Sequence, residues 1–291
     1  MPELPEVETI RRGLAPLLSD RRIVGWTIRN PNLRWPVQLP SQLRGRRIID
    51  VSRRAKYLIV EVAGAEGADG LTTDGEPGAL ILHLGMSGSL RVLPEGTAPG
   101  KHDHLDIVLS GSLLLRLNDP RRFGSVHWQD NPVEEHWLLR KLGPEPLSAE
   151  FSGVYLKSRA RHRRVAVKNF IMDGRIVVGV GNIYANEALF LAGIRPTARA
   201  GRVTLLGYQR LVSAIGQVLE QAIDMGGTTL RDFVNQNGNP GYFKQSLKVY
   251  GREGLPCVEC STPLRGVRTG QRATVFCPKC QSAQGFSGHR C

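Results

Sequence analysis

The 291-residue sequence has no apolar run approaching the ~18 residues that a membrane-spanning helix requires. Its N-terminus is acidic and proline-rich, the opposite of the basic-then-apolar order of a secretory signal. Cysteine is scarce: five residues, four of them clustered late in the chain, which excludes a secreted disulfide framework. Acidic residues are in deficit, with 26 Asp and Glu against 39 Lys and Arg and a net charge of +13. No internal repeat is present, which excludes a solenoid. A cytoplasmic protein follows, nucleoid-associated in a bacterium and with a polyanion as partner. Nucleic acid is favoured over an anionic membrane surface.

The first nine residues, MPELPEVET, organise the chain. Trimming of Met1 leaves Pro2 with a free secondary amine, whose pKa near ~8 keeps an appreciable neutral fraction at physiological pH. A neutral secondary amine can attack an electrophilic carbon and form an iminium. Glu3 is the adjacent carboxylate, suited to moving a proton. Pro5 opens a helix, and Val7, Ile10, Leu14 and Leu17 set its apolar face. The positive end of that helix disfavours a protonated amine beside it. The competing reading is an ordinary proline-rich start before a surface helix.

Eight short apolar runs follow in strand rhythm: 23–28, 46–51, 57–62, 79–84, 89–93, 105–109, 113–117 and 125–128. They predict an antiparallel β-sandwich or barrel with the first helix packed against it. The stretch 63–78 reads as a mobile loop without chemistry. Prolines and a glycine in 131–146 mark a change to helical periodicity that runs to about residue 225. Within it, Tyr208, Leu211, Val212, Ile215, Val218, Leu219 and Ala222 share one face. Residues 225–247 lose that period and read as a lid or link.

Cys257-x2-Cys260-x16-Cys277-x2-Cys280 is the spacing of a tetrahedral four-cysteine zinc site on a β-hairpin. Four thiolates leave no position open for water, so one structural zinc per chain is expected. The block 157–168 holds six Lys or Arg and no acid, and phosphate contact is its favoured role. Val178-Gly-Val-Gly-Asn182 lacks the third glycine of a dinucleotide fingerprint, because Tyr184 stands there. Asn182 is expected to cap the helix that follows, over a tight turn able to meet a phosphate. Asp119–Gly124 (DPRRFG) is either an exposed wedge for stacked bases or a charged hairpin tip with Phe123 turned inward. Lys56 and the histidines 83, 102 and 104 carry no local signal of their own.

Taken together, PELPEVET at 2–9, RRAKYL at 53–58, HLGMSGSL at 83–90, KHDH at 101–104, DPRRFG at 119–124, VVGVGNIYANE at 177–187, GGTTL at 226–230, PGYF at 240–243 and the cysteine pattern resemble the bacterial formamidopyrimidine-DNA glycosylases, nearly end to end. The resemblance implies an α+β protein: an N-terminal antiparallel β-sandwich with a catalytic helix (1–130), a helix–two-turn–helix domain (131–246) and a zinc-finger β-hairpin (247–291). It implies a bifunctional DNA glycosylase and abasic-site lyase of base excision repair, acting as a monomer without a membrane. Its partner would be double-stranded DNA holding oxidised purines or abasic sites. Carried over by residue, Pro2 is the nucleophile, Glu3 the proton donor, Lys56 supports β-elimination and Arg272 supports δ-elimination. Met86, Arg121 and Phe123 fill the gap left by a flipped base. His102, Arg121, Arg163 and Asn182 contact DNA, and the loop 228–242 closes on the lesion. Arg163 departs from the lysine expected there, and the 63–78 loop and the tail beyond Cys280 are long. Two other readings are an endonuclease VIII-like enzyme for oxidised pyrimidines and a catalytically silent DNA-binding protein. The PELPEVET start argues against the first, and intact Pro2, Glu3 and Lys56 against the second.

Overall fold

The computed structural model describes residues 2–64, 77–130, 132–227 and 246–281. The 63–78 loop for the most part, the 228–242 lid, Arg290 and Cys291 lie outside them. Two compact units are present among the described residues, one of residues up to Lys141 together with Gly226 and Gly227, the other of Leu142–Met225 and the segment that holds the C-terminal hairpin.

The first unit opens with α1 (Leu4–Leu18). Pro5 sits in its first turn, where no backbone donor is lost, and Glu3 is its N-cap. Val7, Ile10, Leu14 and Leu18 are all at most 1% exposed, each burial stabilising by about 1.5–3 kcal/mol. The apolar face therefore ends on Leu18; the expected Leu17 is only half-buried, because Leu14 and Leu18 are the pair one helical turn apart.

All eight strands form, at boundaries within three residues of those read from sequence: β1 (Ile23–Ile28), β2 (Ile48–Arg54), β3 (Tyr57–Val62), β4 (Gly78–His83), β5 (Ser89–Pro94), β6 (Asp103–Leu109), β7 (Leu113–Asn118) and β8 (Ser125–Asp130). They make two four-stranded antiparallel sheets, ordered β2-β3-β4-β8 and β1-β6-β7-β5. Alternation sends Val51, Val60, Leu80, Leu82 and Val126 of one sheet, and Leu105, Ile107, Leu115 and Leu117 of the other, into one core shared with α1. The opposite face of β6 and β7 buries an ion pair. Arg116 donates to both carboxylate oxygens of Asp106 at 2.7 Å, and Arg29 pairs with the same carboxylate.

The second unit holds α2 (Gly153–Arg159), α3 (Val167–Ile171), α4 (Asn182–Leu191) and α5 (Leu205–Asp224). The expectation of continuous helical period from 146 needs correction. Only α5 is long, and His162 turns left-handed at φ 60° and breaks the basic block between α2 and α3. Ser152 and Thr204 cap α2 and α5 by accepting from Tyr155 N and Gly207 N. The buried face of α5 is Tyr208, Leu211, Ala214, Ile215, Val218, Leu219 and Ala222, with Val212 at its margin. Strands β9 (Arg265–Thr269) and β10 (Arg272–Phe276) form the C-terminal hairpin. Gly270 and Gln271 join them, both at positive φ as a tight two-residue turn demands.

The hairpin has no core of its own. Val249, Leu264, Val275, Cys257 and Cys277 pack with Phe190 of α4. Packing thus joins the zinc hairpin to the helical segment, and the first unit runs on to Lys141.

Candidate active site and nucleic-acid interface

Pro2 and Glu3 are both buried, immediately before α1. Glu3 closes a capping box with Glu6: its side chain serves the N3 backbone donor, and its own N–H donates to Glu6 Oε2 at 2.8 Å. Sequence reasoning gave Glu3 a chemical role and missed this structural one, although the Glu-x-x-Glu spacing signals it. Glu6 is fully buried, and Gly227 lies against it, so closely that a Cβ there would sit 3.1 Å from Oε1. Glu8 accepts from Arg11, Arg12 and Arg53, the last tying α1 to β2. Burial pushes the Glu8 carboxyl up, but these arginines outweigh it and hold the group below its usual range. Lys56 occupies the two-residue turn between β2 and β3, after Ala55 at φ 57°.

At one end of the sandwich two loops meet: 84–88, between β4 and β5, and 119–124, between β7 and β8. They bring Met86, Arg121 and Phe123 to a single cleft of about 670 Å³, with His83 in its wall. Phe123 is 44% exposed and Arg121 lies over its ring at 5.1 Å. The exposure of the ring overturns the inward-facing alternative for Phe123, and the backbone of this loop lies against Gly85.

His102 is half-buried, and its carbonyl accepts from Asp119 N at 3.0 Å. His104 is 5% exposed, with Nε2 donating to Asp119 O. His83 accepts from Gly85 N through Nδ1. Burial, then the positive charges of Lys56 and Arg34, push His83 down to about 4, so the ring is neutral near pH 7. His127 is likewise down at about 4, through burial and the neighbouring His136.

In the second unit Arg163 is exposed on the loop between α2 and α3, together with Arg161 and Arg164. Two of the six cations in the basic block do not face solvent. Lys157 donates to Val203 O at 2.7 Å. Lys168 is fully buried and donates at 2.7 Å to Ala273 O and to Thr274 Oγ1. Asn182 also departs from expectation. The N-cap of α4 is Gly181, and Asn182 is its first helical residue, with a buried Oδ1 that lacks a partner among the described residues. Arg272 is exposed at the start of β10. Its strand is held by Lys168 and by Asn186, whose Oδ1 accepts from Val275 N. Glu187 accepts from the backbone N–H groups of Lys248, Val249 and Tyr250, fixing the segment that leads into the hairpin. Lys168 lies in the basic block and Asn186 and Glu187 in the 177–187 motif, but nothing in either stretch signals these supporting roles.

The four cysteine sulfurs lie within 4.8 Å of one another, with Cys260–Cys277 at 3.5 Å and Cys257–Cys280 at 3.9 Å. Tetrahedral Zn–S bonds of ~2.3 Å place sulfurs about 3.8 Å apart, so the cluster fits one structural zinc ion. Burial pushes the Cys277 and Cys280 thiols up, a cost that a divalent cation offsets by stabilising the thiolates.

Three family models match the chain. They are the formamidopyrimidine-DNA glycosylase N-terminal domain over residues 1–126, the formamidopyrimidine-DNA glycosylase H2TH domain over 142–234, and the zinc finger found in FPG and IleRS over 254–283. The formamidopyrimidine-DNA glycosylases of Hahella chejuensis and Syntrophotalea carbinolica are each 54% identical over 283 residues, covering 97% of this chain and 100% of theirs. The fold is similar to that of the MutM (FPG) protein of Thermus thermophilus, with TM-score 0.83, 37% identity and 96% and 98% of the two chains covered. It is also similar to Lactococcus lactis Fpg in complex with abasic-site DNA, with TM-score 0.84, 31% identity and 96% and 99% covered. A MutM complex with DNA containing carbocyclic 8-oxo-G gives TM-score 0.84 at 32% identity, with 96% and 99% covered.

Proposed function

The chain belongs to the formamidopyrimidine-DNA glycosylase family, and we propose that it excises oxidised purines from double-stranded DNA and then nicks the strand as an abasic-site lyase. The observation that carries this reading is the Pro2–Glu3 pair, buried at the positive end of α1 in a chain whose whole length matches that family. Similarity to proteins solved with abasic-site and 8-oxo-G DNA supports the substrate class.

The target base is stacked in a duplex and must leave it before reaction, at a cost of a few kcal/mol. Met86, Arg121 and Phe123 fill the vacated space and offset that cost. The neutral Pro2 nitrogen attacks C1′ of the extruded nucleotide, and the glycosidic bond breaks as the base departs with a proton. Glu3 protonates O4′ as the C1′–O4′ bond opens, leaving an iminium between Pro2 and C1′. The iminium acidifies the C2′–H bond; its proton is lost and the 3′ phosphate leaves. A second elimination releases the 5′ phosphate.

Lys56 and Arg272 supply positive charge to the two departing phosphates. His102, Arg163 and Asn182 hold the backbone. The zinc ion stabilises the hairpin that carries Arg272 and takes no part in the chemistry. The protein works as a monomer in the bacterial cytoplasm.

Borohydride trapping tests the reading. Added during reaction with an 8-oxoguanine duplex, it should reduce the iminium and join protein to DNA through the N-terminal proline, as located by mass spectrometry. A protein with an uncleaved N-terminal extension has an amide in place of that amine. It should bind the duplex yet neither excise nor cross-link. Excision by the blocked protein at the normal rate would remove Pro2 from the mechanism.

A further inference from the structure

We propose that Asp119 is a positioning residue that locks Met86, Arg121 and Phe123 into one rigid wedge. The inference rests on the proposed function, which places those three side chains inside the duplex. Asp119 follows β7 and is fully buried. Its carboxylate takes donors from both loops at the cleft. Oδ1 accepts from Ser87 Oγ at 2.7 Å and from Arg121 N at 3.3 Å, and Oδ2 accepts from Gly124 N at 2.7 Å. Ser87 belongs to the loop that presents Met86; Arg121 N and Gly124 N bracket Phe123. The backbone of the same residue reaches the third DNA-contacting position. Asp119 N donates to His102 O, and Asp119 O accepts from His104 Nε2 and Arg122 N.

The two loops also touch through their backbones. Gly85 has φ 61°, and a Cβ built on it would lie 2.4 Å from the Phe123 carbonyl carbon. Only glycine fits there, and the contact leaves little room for one loop to slide past the other. A carboxylate is the one short side chain that can accept from a hydroxyl and two backbone donors on different loops at once. An amide of the same shape turns a donor towards one of these donors and releases one arm of the clasp. A wedge fixed before it meets DNA spends less binding energy on ordering its own side chains, leaving more to drive the base out of the stack. Asp119 touches neither the reacting sugar nor the base in this reading. Its effect is transmitted through the loops.

The experiment compares full-length wild type, Asp119→Asn and the milder Ser87→Ala on two substrates. One is an 8-oxoguanine duplex, which demands extrusion of a stacked base. The other is a single-stranded oligomer with a preformed abasic site, which demands only the amine chemistry. Asp119→Asn should slow excision from the duplex about thirtyfold and Ser87→Ala about threefold, with borohydride cross-linking to the single strand within about twofold of wild type. The fluorescence rise of a 2-aminopurine placed beside the lesion, which reports unstacking, should slow in step with excision. Equal loss on both substrates, accompanied by a fall in thermal stability, would reduce Asp119 to a merely structural residue and overturn the inference. Excision and unstacking at wild-type rates in Asp119→Asn would overturn it as well. Absence of cross-linking by the wild type would instead overturn the proposed function, and the wedge with it.

Discussion

The two units hold the side chains proposed to meet DNA by opposite means. In the first, Met86, Arg121 and Phe123 stand on loops closed by a buried carboxylate, beside a large apolar core that α1 and two sheets share. In the second, Arg272 stands on a two-stranded hairpin whose apolar contacts amount to a handful of residues, stabilised by four cysteines and a buried lysine. A hairpin alone is marginal in water, so the second unit needs covalent-strength ligation where the first relies on packing. The difference also decides which residues look functional. In the first unit the buried Asp106 pairs with the opposite charge of Arg116. In the second, Lys168 is satisfied by neutral oxygens of the strand it supports.

Removal of zinc should separate the two most sharply. Structural zinc contributes about 10–16 kcal/mol in small finger domains, more than such a hairpin can replace. Chelation or Cys260→Ala should abolish duplex binding while the sandwich keeps its own unfolding transition in a thermal scan. Full binding by metal-free protein would erase the distinction.

Next in size is Arg116→Met. It leaves Asp106 and Asp103 buried beside an apolar stem, and breaking such a pair costs about 3–5 kcal/mol. Urea unfolding should show the loss in the sandwich transition alone. A neutral result would mean that packing carries this sheet without the ion pair.

The third expectation concerns pH. His83 and His127 have folded values of about 4 against ~6.5 in an unfolded chain, so the unfolded state binds more protons between those limits. Stability of the sandwich should be full above pH ~6.5 and fall as pH drops towards 4, by roughly 1–2 kcal/mol in all after screening of the half-buried rings. Glu8 and Asp106, held below their usual values by arginines that outweigh the effect of burial, lose their contribution in a separate and lower window, below about pH 4.5. Denaturant midpoints of wild type and His127→Asn across pH 4–7 check this. The variant should flatten about half of the upper slope.

The smallest change in stability belongs to Phe123→Ala. At 44% exposure the ring should cost no more than ~0.5 kcal/mol of stability, whereas excision of 8-oxoguanine should fall clearly. Strong destabilisation with unchanged excision would return Phe123 to the core.

What could be read from sequence follows the same division. The strands were legible because each is a short apolar run, most of them closed by turn residues, and their boundaries agree with the sequence reading to within three residues. The cysteine spacing was legible because zinc geometry restricts it. Phe123 was not, because an aromatic after two arginines at a turn fits an exposed tip and an inward one equally, and the loop it stands on meets Gly85 only once β4 and β8 have paired. The block 157–168 was half legible. Its charge is plain, but nothing local tells that Lys168 points into the protein and Arg163 out of it. Asp119 sits within a recognisable motif, yet its partners Ser87 and His104 lie 32 and 15 positions away.

The reach of Lys168 has a further consequence, for the order in which the chain becomes whole. It meets Thr274 across 106 positions of sequence, whereas every strand of the sandwich lies within the first 130 residues. During synthesis at ~5–20 residues per second, the sandwich emerges on the order of ten seconds before the strand that Lys168 awaits. A nascent or truncated chain therefore has Pro2 and the 119–124 loop before it has Arg272. Through that interval Lys168 lacks the two acceptors, at Ala273 and Thr274, that hold it in the finished protein.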